Sequence, residues 1–317
     1  MNTILKMIVP VAGALVLATL LQKGIEKGSA RYHVHKKERM NEILRGTTRH
    51  DILFLGSSRM HNTVNPRVVD SVTGLNTYNA GAEGGRFVEF RTVLEGYLAK
   101  HPAPRLVVLS VDGHSFYTKT RMFFPIQYFD HLDNPVVATA FREQKEDFNW
   151  MYLKYLTPLR IIYYDDYAKS LAFRGLRGSN ELKMAKTYNY KGYLSNGTAC
   201  IDTLHAKPYK KVTLIFDEEG RKAFQDIQRI CAGRNIPLRL VYVPEWRGMM
   251  QQSFNNFPQW RTVLDSLRGN TPLDMDDNLP LSQDPCNFAN FGHVNDRGAA
   301  LYSALLGQRL KPLITNP

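Results

Sequence analysis

From about residue 50 onward, uniformly apolar runs alternate with amphipathic segments. Ile52 to Leu55 are apolar at every position, which predicts a strand buried on both faces. Arg105 to Val111 and Leu238 to Val243 predict further strands. Arg86 to Lys100 spaces its apolar residues along one face of a helix, and Glu218 to Ala232 predicts another helix. Strands and helices that alternate in this way predict a parallel sheet with right-handed crossovers.

Shorter elements complete this pattern. Asn65-Pro66 supplies an N-cap and a first helical residue. The remaining predictions are a short strand after Leu75 that ends in a glycine-rich turn, a helix around Trp260 to Leu267, a short strand near Leu273 to Met275 and a last helix from near Asn295 to Leu310. The fold class expected from this pattern is α/β with a central parallel sheet.

Residues 117 to about 211 interrupt the α/β pattern and predict an inserted, mostly helical subdomain. An aromatic-rich core is the favoured interpretation, and a substrate cleft at the ligand end of the sheet is the alternative. The segments that carry this prediction are Met122–Phe129, Trp150–Tyr152, Ile161–Tyr164 and the polar run Tyr188–Gly197.

The N-terminal segment indicates how the protein is attached to a membrane. Between Thr3 and Leu21 only Lys6 is charged, and about 19 residues at ~1.5 Å each match a ~30 Å hydrocarbon core. Residues 1–22 therefore predict a transmembrane anchor. A signal peptide is the alternative, although no convincing small-x-small cleavage site precedes the polar stretch.

The basic stretch that follows, residues 23–49, predicts a juxtamembrane helix or linker before a domain at 50–317. Its His33 and His35 have metal-ligand spacing, but a basic face near lipid phosphates is the favoured interpretation. The positive-inside rule alone would keep the domain in the cytoplasm, whereas long domains translocate despite such flanks. The cations concerned are Lys23, Lys27, Arg31, Lys36, Lys37 and Arg39.

Composition narrows the classes of partner. The 317 residues are 44% hydrophobic and 22% charged, as in an ordinary globular protein, and the net charge of +12 predicts an anionic neighbour. Without zinc-finger spacing or an RNA-binding signature, nucleic acid ranks below a membrane surface. Cys200, Cys231 and Cys286 are too few and too scattered for a metal site or a disulfide framework, and the sequence does not choose a pair for a single bridge.

Polar residues at predicted strand ends form a candidate catalytic site. Gly56, Ser57 and Ser58 follow the first strand, where open α/β sheets place their ligands, and His293 precedes the last helix. A serine hydroxyl needs a base to take its proton, and the resulting oxyanion needs N–H donors. The pattern fits a serine hydrolase, and a polar turn that happens to contain serines is the plain alternative.

Three blocks of the chain resemble the SGNH/GDSL hydrolases and acyltransferases. Gly56-Ser-Ser58 is similar to the family's Gly-Asp-Ser, and the following Arg59 is typical of a membrane-anchored branch that acts on cell-envelope polymers and includes the D-alanyl-lipoteichoic acid transfer protein. The segment Asn79 to Gly84 is similar to the second block, and Asn290 to Ala299 to the last. The resemblance covers roughly residues 50–116 and 212–311, and it implies a three-layer α/β/α domain of the flavodoxin-like type, with a helical insertion and an N-terminal transmembrane helix.

The resemblance implies a role for each matching residue. Ser58 would be the nucleophile, His293 the base and Asn290 the residue that orients the imidazole. The oxyanion hole would use the Ser58 and Gly81 backbone N–H groups, with Asn79 in the same block.

Two departures from the family pattern affect the chemistry. Asn290 occupies the position of an aspartate, a change that lowers kcat by about 10⁴ in serine proteases. Asp284 or Asp296 is an alternative source of that charge. The family's third block is replaced by Val111-Asp112-Gly113, and Asp112 cannot donate to an oxyanion unless it is protonated.

The expected function is a membrane-anchored O-acyltransferase or esterase that modifies a cell-envelope polysaccharide or polymer through a serine acyl-enzyme, without metal or cofactor. The expected location is the cytoplasmic membrane, single-pass, with the domain on the periplasmic or exterior side. The partners implied are the membrane, an integral-membrane acyltransferase and an anionic or carbohydrate polymer, with no nucleic acid. The alternative is a non-catalytic subunit of the same fold in a membrane acyltransferase or envelope biosynthetic complex.

Overall fold

The computed structural model describes residues 3–32, 34–117, 125–143, 150–163, 169, 173, 177, 190–203 and 211–315. Its contacts divide the chain into two compact units. The smaller unit comprises Met1–Met40 and Phe124–Thr187, and the larger unit comprises Asn41–Phe123 and Tyr188–Pro317.

A parallel sheet organises the larger unit. Its strands are β1 (Ile52–Leu55), β2 (Thr77–Asn79), β3 (Leu106–Ser110), β4 (Leu238–Tyr242) and β5 (Leu273–Met275). They are ordered β2-β1-β3-β4-β5, and every neighbouring pair is parallel. This is a common order in doubly wound α/β sheets. The predicted α/β class and central parallel sheet are confirmed.

The α-helices of the described residues are, in chain order, α1 (Thr3–Tyr32), α2 (Val34–Arg45), α3 (Ser58–Thr63), α4 (Pro66–Thr73), α5 (Phe87–Leu98), α6 (Pro135–Glu143), α7 (Trp150–Tyr155), α8 (Glu218–Gly233), α9 (Met249–Gln252), α10 (Phe257–Arg268) and α11 (Asp296–Thr315). Short 3-10 turns lie at Gly113–Phe116, Pro125–His131, Thr157–Tyr163, Trp246–Gly248, Pro280–Gln283 and Pro285–Asn287. A two-stranded antiparallel ribbon, β6 (Phe288–Asn290) and β7 (His293–Val294), precedes α11.

Strand β1 is buried on both faces, as its apolar pattern predicts. Ile52 and Phe54 join a core cluster that includes Tyr302 and Leu306 of α11. Because side chains alternate along a strand, Leu53 lies on the opposite face, and it too is fully buried. The sheet is therefore covered on both faces, which leaves its strand ends as the accessible edge for chemistry.

Helix α4 begins at the predicted position because Asn65 and Pro66 both stabilise its first turn. The Asn65 side chain accepts a hydrogen bond from the Arg67 N–H at 3.0 Å, and Pro66 occupies the first turn. Gly74 ends the helix in the left-handed region with φ of 73°, where a residue without Cβ is favoured. This helix follows α3 directly and packs on α11.

Within the predicted linker at 23–49, the residues up to Tyr32 and those of Val34–Arg45 are helical, and the end of the linker belongs to the larger unit. Ile43 and Leu44 are buried, and Leu44 fills the space where a Cβ on Gly96 would lie. The domain therefore begins near Asn41 instead of residue 50, because Leu44, inside the basic stretch, packs on α5. His33 and the side chain of His35 lie outside the described residues.

The predicted insertion at 117–211 does not form one segment. Residues 124–187 group with the N-terminal helix in the smaller unit, where the described parts are helical as predicted. Residues 190–203 belong to the larger unit, and the Lys191 carbonyl accepts a hydrogen bond from the Asn79 N–H at 2.9 Å. Residues 118–124, 144–149, most of 164–189 and 204–210 lie outside the described residues. They include Met122–Phe124, Tyr164 and Tyr188 of the segments that carried the prediction.

Helix α1 belongs to the smaller unit. Its stretch Met7–Lys27 is long and apolar enough to cross a membrane, and its side chains are largely exposed. A signal sequence near an N-terminus fits the same description. The apolar helix predicted for residues 1–22 is present and extends further, to Tyr32.

Candidate active site

The turn after β1 places two consecutive serines in different surroundings. Gly56 lies against the Ser110 side chain, where a Cβ would overlap it. Ser57 caps α3, and its Oγ accepts a hydrogen bond from the Arg59 N–H at 3.1 Å. The same Oγ donates to Asp112 Oδ2, so the Ser57 hydroxyl is engaged inside the protein. Ser58 is the first residue of α3 and stays half-buried.

His293 lies next to Ser58, although 235 residues separate them in the chain. The Ser58 Oγ and the His293 Nε2 are 2.9 Å apart. His293 begins β7, and the other ring nitrogen, Nδ1, is 3.1 Å from Asn290 Oδ1 at the end of β6. The antiparallel ribbon thus brings the three residues predicted as nucleophile, base and orienting group into one hydrogen-bonded chain.

The Asn290 side chain fixes the tautomer of His293. Its Oδ1 also accepts the backbone N–H groups of Gly292 and His293, each at 3.0 Å. Two backbone donors require an oxygen at this position, so the amide cannot be reversed. Because that oxygen only accepts, the Nδ1 of His293 must carry the proton. The Nε2 lone pair then faces the Ser58 hydroxyl, as a general base requires.

The basicity of His293 is low. Burial lowers the pKa of His293 to about 4, and the positive charge of Arg59 lowers it further, while Asp112 and Glu83 act in the opposite direction. The ring is therefore neutral at pH 7, which is the form that accepts a proton. A base with so low a pKa drives proton removal from serine weakly.

Neither alternative carboxylate reaches His293. Asp284 caps the Cys286 N–H at 2.9 Å and pairs with Arg297 at 3.0 Å. Asp296 accepts hydrogen bonds from the Tyr193 hydroxyl, the Ser195 hydroxyl and the Asn196 N–H. Both acids hold the loops around the ribbon, and Asn290 is the group at Nδ1.

The predicted oxyanion donors of the second block are engaged with protein acceptors. The Gly81 N–H donates to Asn79 Oδ1 at 2.9 Å, and the Asn79 amide donates to the carbonyls of Met60 and Val64 at 2.9 and 2.6 Å. Asn79 is fully buried. These hydrogen bonds fasten the end of β2 to α3, and they do not support the predicted oxyanion role of Gly81 and Asn79. The Ser58 N–H, in the first turn of α3, has no acceptor within the helix.

Arg59 follows β1, and its hydrogen bonds connect the end of that strand to the ends of β3 and β4. Its guanidinium donates to Asp112 Oδ1 at 2.8 Å and to the Val243 carbonyl at 2.6 Å, and it lies 3.9 Å from Glu245. Arg59 is 4% exposed and Glu245 is fully buried. Burial raises the pKa of Glu245 to about 7, with Arg59 acting in the opposite direction. The array holds the Ser58 turn against β3 and β4.

Sequence reasoning named Arg59 only as part of a motif and did not identify Glu245. The rule that polar residues at strand ends gather at one sheet edge would have selected Glu245, which comes three residues after β4.

A cleft of about 370 Å³ opens beside Ser58 and His293. The Arg86 guanidinium lies over the Tyr117 ring at 4.9 Å, and the exposed His114 meets the edge of Phe254. The cleft therefore combines cationic, aromatic and aliphatic surface next to the nucleophile. Its lining residues are Ser57, Ser58, Arg59, Gly84, Gly85, Arg86, Asp112, Gly113, His114, Ser115, Tyr117, Met250 and His293.

One group of three possible metal ligands occurs among the described residues, away from this cleft: Glu42, His50 and His101. The His101 ring nitrogens face the carbonyl oxygens of Thr48 and Glu42 at 2.8 and 2.7 Å. The His50 Nδ1 lies 3.0 Å from the Tyr97 hydroxyl. These partners give the two rings a structural role at the junction of α2 and α5.

A disulfide joins Cys200 to Cys286, and Cys231 is free and buried. The bridge ties the 190–203 segment to the loop that precedes the β6-β7 ribbon. The Asn295 amide reinforces it by donating to the carbonyls of Ala199 and Cys286 at 3.0 and 2.9 Å. The position of His293 thus depends on covalent and hydrogen-bonded supports outside the sheet.

Comparison with known proteins identifies no family for this chain. No protein-family model matches the chain, and no curated protein matches it. The arrangement of Ser58, His293 and Asn290 is therefore the basis on which a function is proposed.

Proposed function

We propose that this chain is a membrane-anchored, serine-dependent O-acyltransferase or esterase of the SGNH/GDSL type. One observation carries the proposal. The Ser58 hydroxyl is 2.9 Å from a histidine nitrogen whose lone pair faces it, because Asn290 holds the proton on the other ring nitrogen. A nucleophile, a base and an orienting group in hydrogen-bonded sequence are what acyl transfer through serine requires.

The reaction follows from these positions. Ser58 Oγ attacks the acyl carbonyl as its proton passes to His293 Nε2, and a tetrahedral oxyanion forms. The Ser58 N–H is the donor that we assign to this oxyanion. When the tetrahedral intermediate collapses, the alcohol of the original ester leaves and takes the proton from His293. An acceptor hydroxyl in a transferase, or water in an esterase, then attacks the acyl-enzyme carbonyl as its proton passes to His293 Nε2. That proton returns to Ser58 Oγ as the bond between serine and the acyl group breaks.

Because Asn290 stands where the family has an aspartate, we expect a low rate of acyl transfer. In serine proteases the same change lowers kcat by about 10⁴, partly because the histidine adopts the wrong tautomer. Here the backbone donors of Gly292 and His293 remove the tautomer problem. The missing stabilisation of the imidazolium remains, so we expect slow turnover with measurable formation of an acyl-enzyme.

Substrate and location rest on chemistry around the site. An anionic or carbohydrate polymer of the cell envelope suits a chain with net charge +12 and a cleft that contains Arg86 and Tyr117. The Cys200–Cys286 bridge favours an oxidising compartment, so we place the larger unit on the periplasmic or exterior side of the cytoplasmic membrane. An integral-membrane acyltransferase is the partner we propose as acyl donor.

A second candidate function has its own support. Asn290 in place of a carboxylate, a His293 pKa of about 4 and the engaged donors of Asn79 and Gly81 also suit a subunit that no longer turns over. In that case the larger unit would bind a membrane acyltransferase or an envelope biosynthetic complex without catalysis.

Reaction with a fluorophosphonate probe distinguishes the two functions. We expect wild type to be labelled at Ser58, Ser58→Ala to lose the label and His293→Ala to lose most of it. Ser57→Ala is the matched control, since its hydroxyl faces Asp112 and its loss leaves the nucleophile in place. A folded wild-type protein that resists the probe, under conditions that label a known serine esterase, would favour the binding subunit.

The proposed location has a separate test. C-terminal fusions to alkaline phosphatase and to a reporter active only in the cytosol report the side of the membrane. We expect activity from the phosphatase fusion. Activity from the cytosolic reporter alone would contradict the envelope location and leave the site chemistry untouched.

A further inference from the structure

Four large side chains with apolar surface are exposed on two adjoining elements of the smaller unit. They are Tyr152 and Tyr155 of α7 and Leu156 and Ile162 of the following segment, with exposed fractions of 54%, 68%, 40% and 68%. We call them the 152–162 patch. Single exposed apolar residues are normal on a soluble surface, whereas a cluster marks an interaction site.

Arg160 fixes the 152–162 patch to helix α1. Its Nη1 lies 2.6 Å from Glu26 Oε1, and its Nε donates to the Leu153 carbonyl at 2.7 Å. Arg160 is buried, and its guanidinium also lies over the Phe129 ring at 5.7 Å. Helix α7 and the 3-10 turn at Thr157–Tyr163 are thus held at the C-terminal part of α1.

The attachment point has a defined place along α1. The side chains from Met7 to Leu17 are all exposed, whereas Gln22 is buried and Glu26 is half-buried. Glu26 lies five residues beyond Leu21, or about 8 Å along a helix. Each head-group layer of a bilayer is roughly 5–8 Å thick. When α1 spans a membrane, the Arg160–Glu26 pair therefore lies at head-group depth.

We propose that the 152–162 patch inserts into the head-group layer of the bilayer that α1 spans. The inference rests on the proposed membrane anchoring. Tyrosine is enriched at this depth, where its ring meets the acyl boundary and its hydroxyl meets water. Lys23 and Lys27 are exposed on the same stretch of α1, so the lipid that fits best is anionic. The patch would fix the angle at which the smaller unit meets the membrane.

Depth-dependent quenching in vesicles tests the proposal on the full chain. The native cysteines do not compete for a label, because two are bridged and Cys231 is buried. Ile162→Cys carries the fluorophore, in vesicles of phosphatidylethanolamine and phosphatidylglycerol. We expect lipids with a shallow quencher to reduce its emission, at a depth of about 5–10 Å, and iodide in the buffer to have little effect.

Two further labelled variants distinguish failure of the membrane anchor from failure of the 152–162 patch to insert. Leu15→Cys, in the apolar stretch of α1, reports anchoring and should be reached by a deep lipid quencher. Leu301→Cys, an exposed leucine of the larger unit, is the matched control that iodide should quench.

Four results would overturn the proposal. Iodide quenching at Ile162 with lipid quenching at Leu15 would refute the patch and leave the anchor. Loss of lipid quenching at Leu15 would refute both. Equal lipid quenching at Leu301 and Ile162, or protection of Ile162 from both quenchers, would show non-selective adsorption or self-association. Probe labelling of Ser58 on the same vesicles is independent, so its failure would count against acyl transfer and not against the patch.

Discussion

Replacing Asn290 by aspartate separates the two roles that a triad carboxylate combines. In the structure Asn290 Oδ1 already orients His293 by accepting from Nδ1 and from two backbone N–H groups. A carboxylate oxygen accepts the same three donors, so Asn290→Asp should preserve the geometry. The variant adds the negative charge and little else.

The size of the effect follows from distance and exposure. Opposite unit charges about 4 Å apart attract by about 1 kcal/mol in water and by about 4 kcal/mol at an effective dielectric constant near 20. Asn290 is exposed, so we expect about 1–2 kcal/mol, which corresponds to about one pKa unit. The pKa of His293 should rise from about 4 by that amount. Turnover at pH 7 should rise about three- to tenfold, because a stronger base removes the Ser58 proton more readily.

Two measurements check this expectation. The rate of fluorophosphonate labelling reports the reactivity of Ser58, and histidine NMR reports the pKa of His293. A base works in its deprotonated form, so labelling should fall as pH drops through about 4 in wild type and through about 5 in the variant. Asn278→Asp, at an exposed asparagine that contacts Gln283, adds the same charge elsewhere. A raised His293 pKa without faster labelling would refute the assignment of His293 as base.

Further predictions concern the supports of the site. Ser58→Ala should abolish labelling and change the melting temperature little, whereas Ser57→Ala should keep labelling and lower the free energy of unfolding by about 1–3 kcal/mol, since a buried carboxylate loses a donor. The folded pKa of Glu245 is raised to about 7, so its contribution to stability is present below its unfolded value and lost as pH rises through 7. Urea unfolding at pH 5 and pH 8 should therefore show a larger drop for wild type than for Glu245→Gln. Reduction of the Cys200–Cys286 bridge should lower the free energy of unfolding by about 2–5 kcal/mol, and an unchanged midpoint would refute its role.

The strands and helices of the sheet were predictable because their signals are local. An uninterrupted apolar run such as Ile52 to Leu55 has no stable place except a buried strand, and Asn65-Pro66 encodes its own helix start. The boundaries near residues 41 and 188 were not predictable in this way. Leu44 sits in a basic stretch, and only contact with Gly96 across 52 positions shows that it belongs to the larger unit.

The site was predictable as far as residue types at strand ends determine it. The strand-end pattern selected the serine turn and His293, and the resemblance to the SGNH/GDSL blocks implied the roles of Ser58, Asn290 and His293. The structure brings these three residues together. The supporting network was not predictable, because each partner is satisfied by a distant group. Nothing in the local sequence indicates that the Asn79 side-chain amide donates to backbone carbonyls at and just after α3 instead of to a substrate oxyanion.

Arg59 explains why the acid nearest the site does not serve His293. A buried guanidinium needs a carboxylate, and breaking such a pair costs about 3–5 kcal/mol. Asp112 supplies that carboxylate at 2.8 Å and also accepts from Ser57, so its charge is committed to holding the Ser58 turn. Arg59 meanwhile lowers the pKa of His293, after the larger effect of burial. The residue that fixes the nucleophile therefore also weakens its base, and Asn290→Asp would add an opposing charge on the exposed side of the imidazole.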